Sequence, residues 1–118
     1  MIYAAESRAL AMAEVVVHLS LHNLPKDFVM MEILIPDSLP VDEIRPQNLP
    51  EGWNSHPPIV ETQRLGDHFV NNNKSVVLRV PSAVVPGDYN YLINPHHSGF
   101  SKISIEQIED FPWDKRLF

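Results

Sequence analysis

A single carboxylate, Glu14, has the clearest capacity for chemistry in this sequence. On a helix of about 100° per residue it shares one narrow line with Ser7, Ala11 and His18, while apolar side chains cover nearly all of the remaining surface. Such a helix is expected to be mostly buried, so its polar line would border a cleft or a partner surface. A partly desolvated carboxylate there would orient a hydroxyl or stabilise a developing cation. The pattern alone also fits an ordinary exposed helical glutamate.

The hydroxyl of Ser82 is the second candidate, because it follows a strand-like run and Pro81. It would serve a bound substrate, or it would bond its own loop as a turn serine. The surrounding segment, VPSAVVPGDYNYLINPHHSGF at 80–100, is too irregular for one helix or strand. Its prolines stiffen a loop, and its polar groups satisfy backbone atoms that lose water.

Histidines offer weaker candidates for a metal site. His18 and His22 have i, i+4 spacing, but His22 is expected beyond the helix end and no third ligand is obvious. His96 and His97 follow Asn-Pro and are interpreted as part of a rigid surface loop. No metal site is predicted, and a small metal-binding protein would require a metal that survives dialysis against a chelator. The sequence also lacks the HExxH, GxSxG and glycine-rich phosphate-binding motifs.

The elements that must position these side chains are short helices interspersed among short strands. This order predicts a compact α+β domain. The expected elements are a strand at 2–5, a helix from Ser7 as N-cap to about Leu19, a central strand at 28–35, a short helix at 61–70, a turn at 71–73, a buried strand at 75–80 and a strand at 102–108.

Composition limits the class of protein. A chain of 118 residues with 44% apolar residues predicts one domain over 1–118. The absence of cysteine makes a reducing cytoplasm the expected compartment, and charges interrupt the apolar N-terminal run, so neither a signal peptide nor a membrane span is predicted. A net charge of -6 would repel a polyphosphate backbone, which argues against direct nucleic-acid binding and favours a basic partner.

Six segments together resemble the RES domain, the toxin half of a bacterial toxin-antitoxin module. They are IYAAESRALAMAEVVVHL, IPDSL, NLPEGW, TQRLGDHFV, VLRVPSAVVPGDYNYLINPHHSGF and FPWDKRL, and they extend from end to end of the chain. Their order and spacing carry the resemblance, since each is weak alone. The resemblance implies a fold similar to that of ADP-ribosyltransferases, with a mixed or antiparallel sheet and a few short helices. It also implies NAD as substrate, with breakdown of NAD or transfer of ADP-ribose to a protein.

The resemblance assigns roles to three residues. Glu14 matches the family's glutamate and would be catalytic, stabilising the oxocarbenium-like centre formed when nicotinamide departs or holding the ribose hydroxyls. Tyr3 matches a tyrosine of the family's active site and would pack against the nicotinamide or its ribose. Ser82 matches the family's serine and would hydrogen-bond the substrate. No metal is implied.

The chain also departs from the family pattern. Family members carry some tens of residues ahead of IYAAES, including an arginine and a GGRWN-like segment, and that arginine has no counterpart here. We therefore expect a RES-like domain at 1–118 that is N-terminally truncated relative to the family, with apolar surface left exposed or covered by another chain. A misassigned start, a fragment and a natural truncation all stay open.

The resemblance implies a toxin of a type II toxin-antitoxin system that acts on NAD in the cytoplasm. Its expected partner is an Xre-type antitoxin whose C-terminal region covers the cleft and whose helix-turn-helix domain binds operator DNA. A homo-oligomer is left open. The alternative is a catalytically inactive truncated RES domain that retains only antitoxin binding, so whether the chain is an enzyme is not decided by sequence.

Overall fold

The computed structural model describes residues 1–18, 27–114 and 116, which form an α+β fold, as predicted. Within these ranges, no helix is both long and apolar enough to cross a membrane. Two short 3-10 turns at Pro46–Asn48 and Ser98–Lys102 join the regular elements. The elements are β1 (Ile2–Ala5), α1 (Arg8–Val16), β2 (Val29–Leu34), β3 (Val41–Glu43), α2 (Val60–Asn72), β4 (Val77–Pro81), β5 (Tyr89–Ile93) and β6 (Ser104–Asp110).

A four-stranded mixed sheet forms the centre of the fold, in the order β1-β5-β4-β3. β5 pairs antiparallel with both β1 and β4, whereas β3 runs parallel to β4. The register places Asn90 of β5 opposite Ala5 of β1 and opposite Val80 of β4. These residues therefore meet at one end of the sheet, where β4 ends and β5 begins.

The core lies on both faces of β4, which explains why its sequence is almost continuously apolar. Val77 is fully buried on one face, in a cluster with Val76, Ile93 and Leu39. Leu78 is buried on the other face, against Leu92 of β5 and Phe69 of α2. The predicted strand at 75–80 is thus confirmed, with observed bounds of Val77–Pro81.

The first helix begins where the sequence predicts but is less buried than expected. Ser7 is the N-cap, and its Oγ accepts a hydrogen bond of 3.1 Å from the N–H of Leu10. The expectation of a mostly buried helix is wrong, because only Leu10 is buried and the later side chains are half-exposed. The helix ends at Val16 with Val17 as its C-cap, so it is shorter than the predicted helix, whose end near Leu19 lies outside the described residues.

Arg8 fastens α1 to a second, two-stranded sheet. Its guanidinium donates to Glu32 of β2 at 3.1 Å and to Glu109 of β6. The hydrogen bond to Glu32 and the charge of Glu109 raise the pKa of Arg8 above its ordinary value. Glu109 of β6 lies opposite Met30 of β2, and Met30 and Glu32 are two positions apart and share a face of β2. Glu32 and Glu109 are therefore on the same face of the small sheet, where Arg8 pairs with both.

The strand predicted at 28–35 is confirmed as β2 (Val29–Leu34), but the prediction that it is central is wrong. β2 pairs with β6 in a separate two-stranded antiparallel sheet, and among the described residues it has no second strand beside it. Met30 is buried, but Val29, Met31 and Leu34 are 43%, 47% and 50% exposed. A dense apolar run is typical of a buried strand, but in the described part of the chain β2 has only one neighbouring strand, β6. The strand predicted at 102–108 is its partner, observed at Ser104–Asp110.

The second helix is longer than predicted. It spans Val60–Asn72, and Asn73 ends it in the left-handed region at a φ of 55°. Asparagine tolerates this conformation better than most residues. The turn predicted at 71–73 is therefore wrong for Asn71 and Asn72, which are helical, and only Asn73 acts as the C-terminal cap. Phe69 anchors the helix on the four-stranded sheet.

Candidate active site

The Glu14 carboxylate receives two side-chain donors from distant parts of the chain. The Ser82 hydroxyl donates to Oε1 at 2.9 Å, and the Asn90 amide donates to the same oxygen at 2.7 Å. α1, the end of β4 and the start of β5 therefore converge on a single carboxylate oxygen. Oε2 is then the carboxylate oxygen that a ligand would engage.

Ser82 is held by hydrogen bonds within its own loop, and these fix the direction of its hydroxyl toward Glu14. It is only 2% exposed, and its backbone N–H donates to the Asp88 carbonyl at 2.8 Å. Its Oγ accepts from the N–H groups of Val84 at 3.1 Å and Val85 at 3.0 Å. A hydroxyl has one donor and two acceptor sites, so these two bonds and the bond to Glu14 use all of its capacity. In this arrangement Ser82 is a turn serine and a partner of Glu14 at once, and its contact with a substrate stays a prediction.

Asn90 is the site residue that sequence analysis missed. It lies within β5 in the sequence YNYLI, where asparagine is a poor strand former between aromatic residues. Such a polar residue in a strand of the central sheet must find a partner, and Glu14 supplies it across 76 positions of sequence. The strand pattern would have pointed to Asn90, but only the fold identifies its partner.

A cavity of about 590 Å³ opens beside the carboxylate, within the usual range for small-molecule sites of roughly 300–1,000 Å³. Tyr3, Glu14 and Asn90 line one side of it. Tyr3 is 71% exposed, so its ring is available at the mouth of the cavity. Tyr3 and Glu14 thus line the same cavity, whereas Ser82 does not line it and reaches the site through its hydrogen bond to Glu14. Their roles toward a substrate stay predictions.

The charged side chains that line this cavity are acidic. Its lining includes the carboxylates of Glu14 and Asp67, and within the described residues no lysine, arginine or histidine side chain lines it. Neutral hydroxyl and amide donors of a ligand are therefore favoured close to Glu14. An anionic part of a ligand would need backbone N–H groups or a cation from elsewhere.

The histidines occupy other positions. His18 is exposed just after α1, and His22 lies outside the described residues. His97 accepts a hydrogen bond from the Gly99 N–H at 2.9 Å, and His96 donates its N–H to Asn94 at 3.0 Å. These contacts belong to the structure of a loop. Over the described ranges, no group of three or more histidine, aspartate or glutamate side chains could hold a metal ion.

Comparison with known proteins identifies a single family along nearly all of the chain. Residues 1–114 match the family model of the RES domain. The chain is 36% identical to the "Prs ADP-ribosylating toxin" of Sphingobium sp. strain YBL2, over 98% of this chain and 73% of that protein. It is 38% identical to "Toxin Res" of Pseudomonas putida KT2440, over 99% of this chain and 79% of that protein. A "Toxin Res" of Yersinia enterocolitica is 36% identical over 98% of this chain and 76% of its own length.

Proposed function

The chain belongs to the RES domain family, and we propose that it is the NAD-consuming toxin of a type II toxin-antitoxin pair. The observation that carries this proposal is the Glu14 carboxylate, which Ser82 and Asn90 orient beside a cavity of about 590 Å³. A relative named for ADP-ribosylation uses chemistry that consumes NAD, which supports the same substrate for this chain.

The proposed reaction breaks the bond between the nicotinamide nitrogen and C1′ of its ribose. The bonding electron pair leaves with nicotinamide, which becomes neutral, and positive charge develops on the ribose ring. The free oxygen of Glu14 accepts a hydrogen bond from a ribose hydroxyl and stabilises the developing cation. A nucleophile then bonds to C1′ and loses its proton. Water, phosphate and a side chain of a target protein are the three candidates for that nucleophile.

Ser82 and Asn90 contribute by holding the carboxylate in one orientation. Since both donate to Oε1, Glu14 need not reorganise when charge develops on the substrate. In this proposal Tyr3 packs against the nicotinamide or its ribose, which is supported by its exposed position in the cavity lining. The sequence-based role of Tyr3 is thus retained within the proposal, whereas Ser82 is assigned chiefly to positioning.

Replacing Asn90 by alanine is expected to lower kcat for nicotinamide release by about 10- to 100-fold. The reason is that hydrogen bonds to charged groups contribute about 1.5–3 kcal/mol and one of the two that orient Glu14 is lost. Release of nicotinamide from NAD, followed by proton NMR, measures the effect. Replacing the exposed Asn54, which lies outside the cavity lining, is the control and should change kcat by less than about twofold. An N90A variant with unchanged kcat would remove Asn90 from the site.

The proposed partner is an Xre-type antitoxin that covers the cavity mouth. Met1 and Tyr3 both line the cavity and are 41% and 71% exposed, so an apolar strip borders the site. The net charge of -6 suits a partner that carries basic side chains and the DNA-binding function itself.

Adding the cognate antitoxin is expected to stop NAD consumption. The Tyr3→Asp variant is expected to bind the antitoxin about tenfold or more weakly, because it places a charge in this apolar strip. Calorimetric titration of the two purified proteins measures the affinity. Val60→Asp, which alters an apolar side chain that is 55% exposed, is the matched control. Equal affinities of the two variants would contradict binding at the mouth.

A second candidate function is a catalytically inactive module that retains only antitoxin binding. It is favoured by the absence of a cationic side chain from the described lining of the cavity, since NAD carries two phosphates that arginine binds well. Antitoxin binding without nicotinamide release would distinguish it from the enzyme.

A further inference from the structure

One short turn contributes two large apolar side chains to the cavity lining. Leu49 and Trp53 both line the cavity, and the chain between them reverses direction, with the Trp53 N–H donating to the Pro50 carbonyl at 3.1 Å. The segment NLPEGW therefore presents its two large apolar side chains to the cavity and its turn residues between them. Trp53 is half-buried, so its ring has surface left to contact a ligand.

Gly52 fixes the position of the Trp53 ring. Its φ of 81° suits the third position of a turn that requires a positive φ, and side chains other than glycine are strained there. A Cβ at this position would also approach the Ser55 hydroxyl to 3.3 Å. The Ser55 N–H in turn donates to the Gly52 carbonyl at 3.0 Å. The tryptophan is thus held in place before any ligand binds.

The first turn of α2 adds an unpaired hydroxyl to the same region. Among the described residues, Thr62 Oγ1 is a buried side-chain oxygen without a hydrogen-bond partner, and Thr62 lines the cavity together with Pro58. Buried polar atoms normally have a partner, in the protein or in a bound molecule. The Thr62 hydroxyl is therefore available to give a ligand in the cavity a polar contact.

We propose that Trp53 is the stacking platform for the adenine ring of the dinucleotide, with Thr62 as its polar neighbour. This inference rests on the proposed function, because a substrate that reacts beside Glu14 must place its nicotinamide ribose there. The second aromatic ring of the dinucleotide must then lie elsewhere in the same cavity, whose lining includes Trp53 from the segment after β3. Flat aromatic rings stack well on indole, and adenine is neutral, so the acidic lining does not repel it.

Replacing Trp53 by alanine or leucine is expected to weaken adenosine binding by about tenfold or more and to raise KM for NAD with little change in kcat. Leucine keeps apolar bulk but lacks a flat ring, so it separates stacking from packing. Trp53→Phe should retain most of the affinity. Gly52→Ala should act in the same direction as W53A, because it displaces the turn that holds the ring.

The experiment titrates adenosine into each variant and follows binding by ligand-observed NMR. Trp113, the other tryptophan of the chain, packs on Phe111 with ring centres 4.3 Å apart, and W113F is the control. In W113F the remaining tryptophan fluorescence should be quenched saturably by adenosine. Nicotinamide binding should be the same in W53L and the wild type.

The outcomes distinguish failure of the proposed adenine subsite from failure of the proposed NAD-consuming function. If W53L consumes NAD with unchanged KM and binds adenosine as the wild type does, the subsite is wrong and the proposed function stands. If adenosine binding depends on Trp53 in a chain that never consumes NAD, the subsite stands and the proposed function falls.

Discussion

Replacing Glu14 by glutamine is expected to slow nicotinamide release from NAD by about 100- to 1,000-fold while leaving the fold intact. The substitution keeps the shape of the side chain and one oxygen for Ser82 and Asn90, but it removes the negative charge that would stabilise the developing cation. Preorganised groups that face charge in a transition state typically contribute effects of about this size. Proton NMR of NAD and nicotinamide over time gives the rate directly.

Glu6 provides a matched control for E14Q. It lies just before α1, and its carboxylate accepts a hydrogen bond of 3.1 Å from the Tyr89 N–H, next to Asn90. An amide oxygen can accept the same bond, so E6Q should retain kcat within about twofold. Equal unfolding temperatures for E14Q, E6Q and the wild type would show that the fold is unchanged. An E14Q rate equal to the E6Q rate would exclude Glu14 as the catalytic group.

Replacing Ser82 by alanine is expected to reduce both stability and kcat. The N–H groups of Val84 and Val85 lose their acceptor in a part-buried loop, which costs about 1–3 kcal/mol in the free energy of unfolding. Glu14 loses one of its two orienting donors, so kcat should fall by about 10- to 100-fold. Urea unfolding and steady-state kinetics measure the two effects separately.

The kinetic constants distinguish the two roles open to Ser82. A positioning residue lowers kcat with little change in KM, whereas a residue that only binds substrate raises KM. S101A serves as the control for stability, because the Ser101 hydroxyl makes one exposed bond of 3.4 Å to the Ser98 carbonyl. Unchanged stability of S82A would contradict the anchoring of the loop, and an effect on KM alone would favour direct contact with the substrate.

Local sequence signals predicted the parts of the fold that depend on neighbours in the chain. Ser7 caps α1, the apolar run at 75–80 becomes β4, and the asparagine-rich turn ends α2. The polar line on the first helix also placed Glu14 toward a cleft, although the helix is less buried than expected. These features follow from capping, periodicity and turn chemistry, which act over a few residues.

The partners of Glu14 illustrate what such signals leave out. Ser82 and Asn90 are 68 and 76 positions away in sequence, and their convergence depends on the pairing of β4 with β5 and on the angle at which α1 crosses the sheet. The wrong central placement of the strand at 28–35 has a related cause. Apolar density shows that a segment favours burial, but not which layer covers it.

Arg79 illustrates why the sequence pattern alone does not identify a cationic side chain for the cavity. Arg79 lies on β4 between Leu78 and Val80, which line the cavity, so strand alternation directs its side chain to the opposite face. There its guanidinium stacks over the Tyr89 ring at 3.6 Å and donates to Glu43 at 2.7 Å. Arg79 is therefore committed to structure on the far side of the sheet.

Nicotinamide release from NAD tests the central claim most directly, measured with this chain free of antitoxin and with the same chain extended by the sequence that precedes Met1 in frame. The account predicts release by at least one of the two proteins and loss of that release when Glu14 is replaced by glutamine. Release by the short chain would show that Glu14, Ser82 and Asn90 act without a cation from upstream. Intact NAD in both samples, with the antitoxin still bound tightly, would contradict the enzyme and favour the inactive binding module.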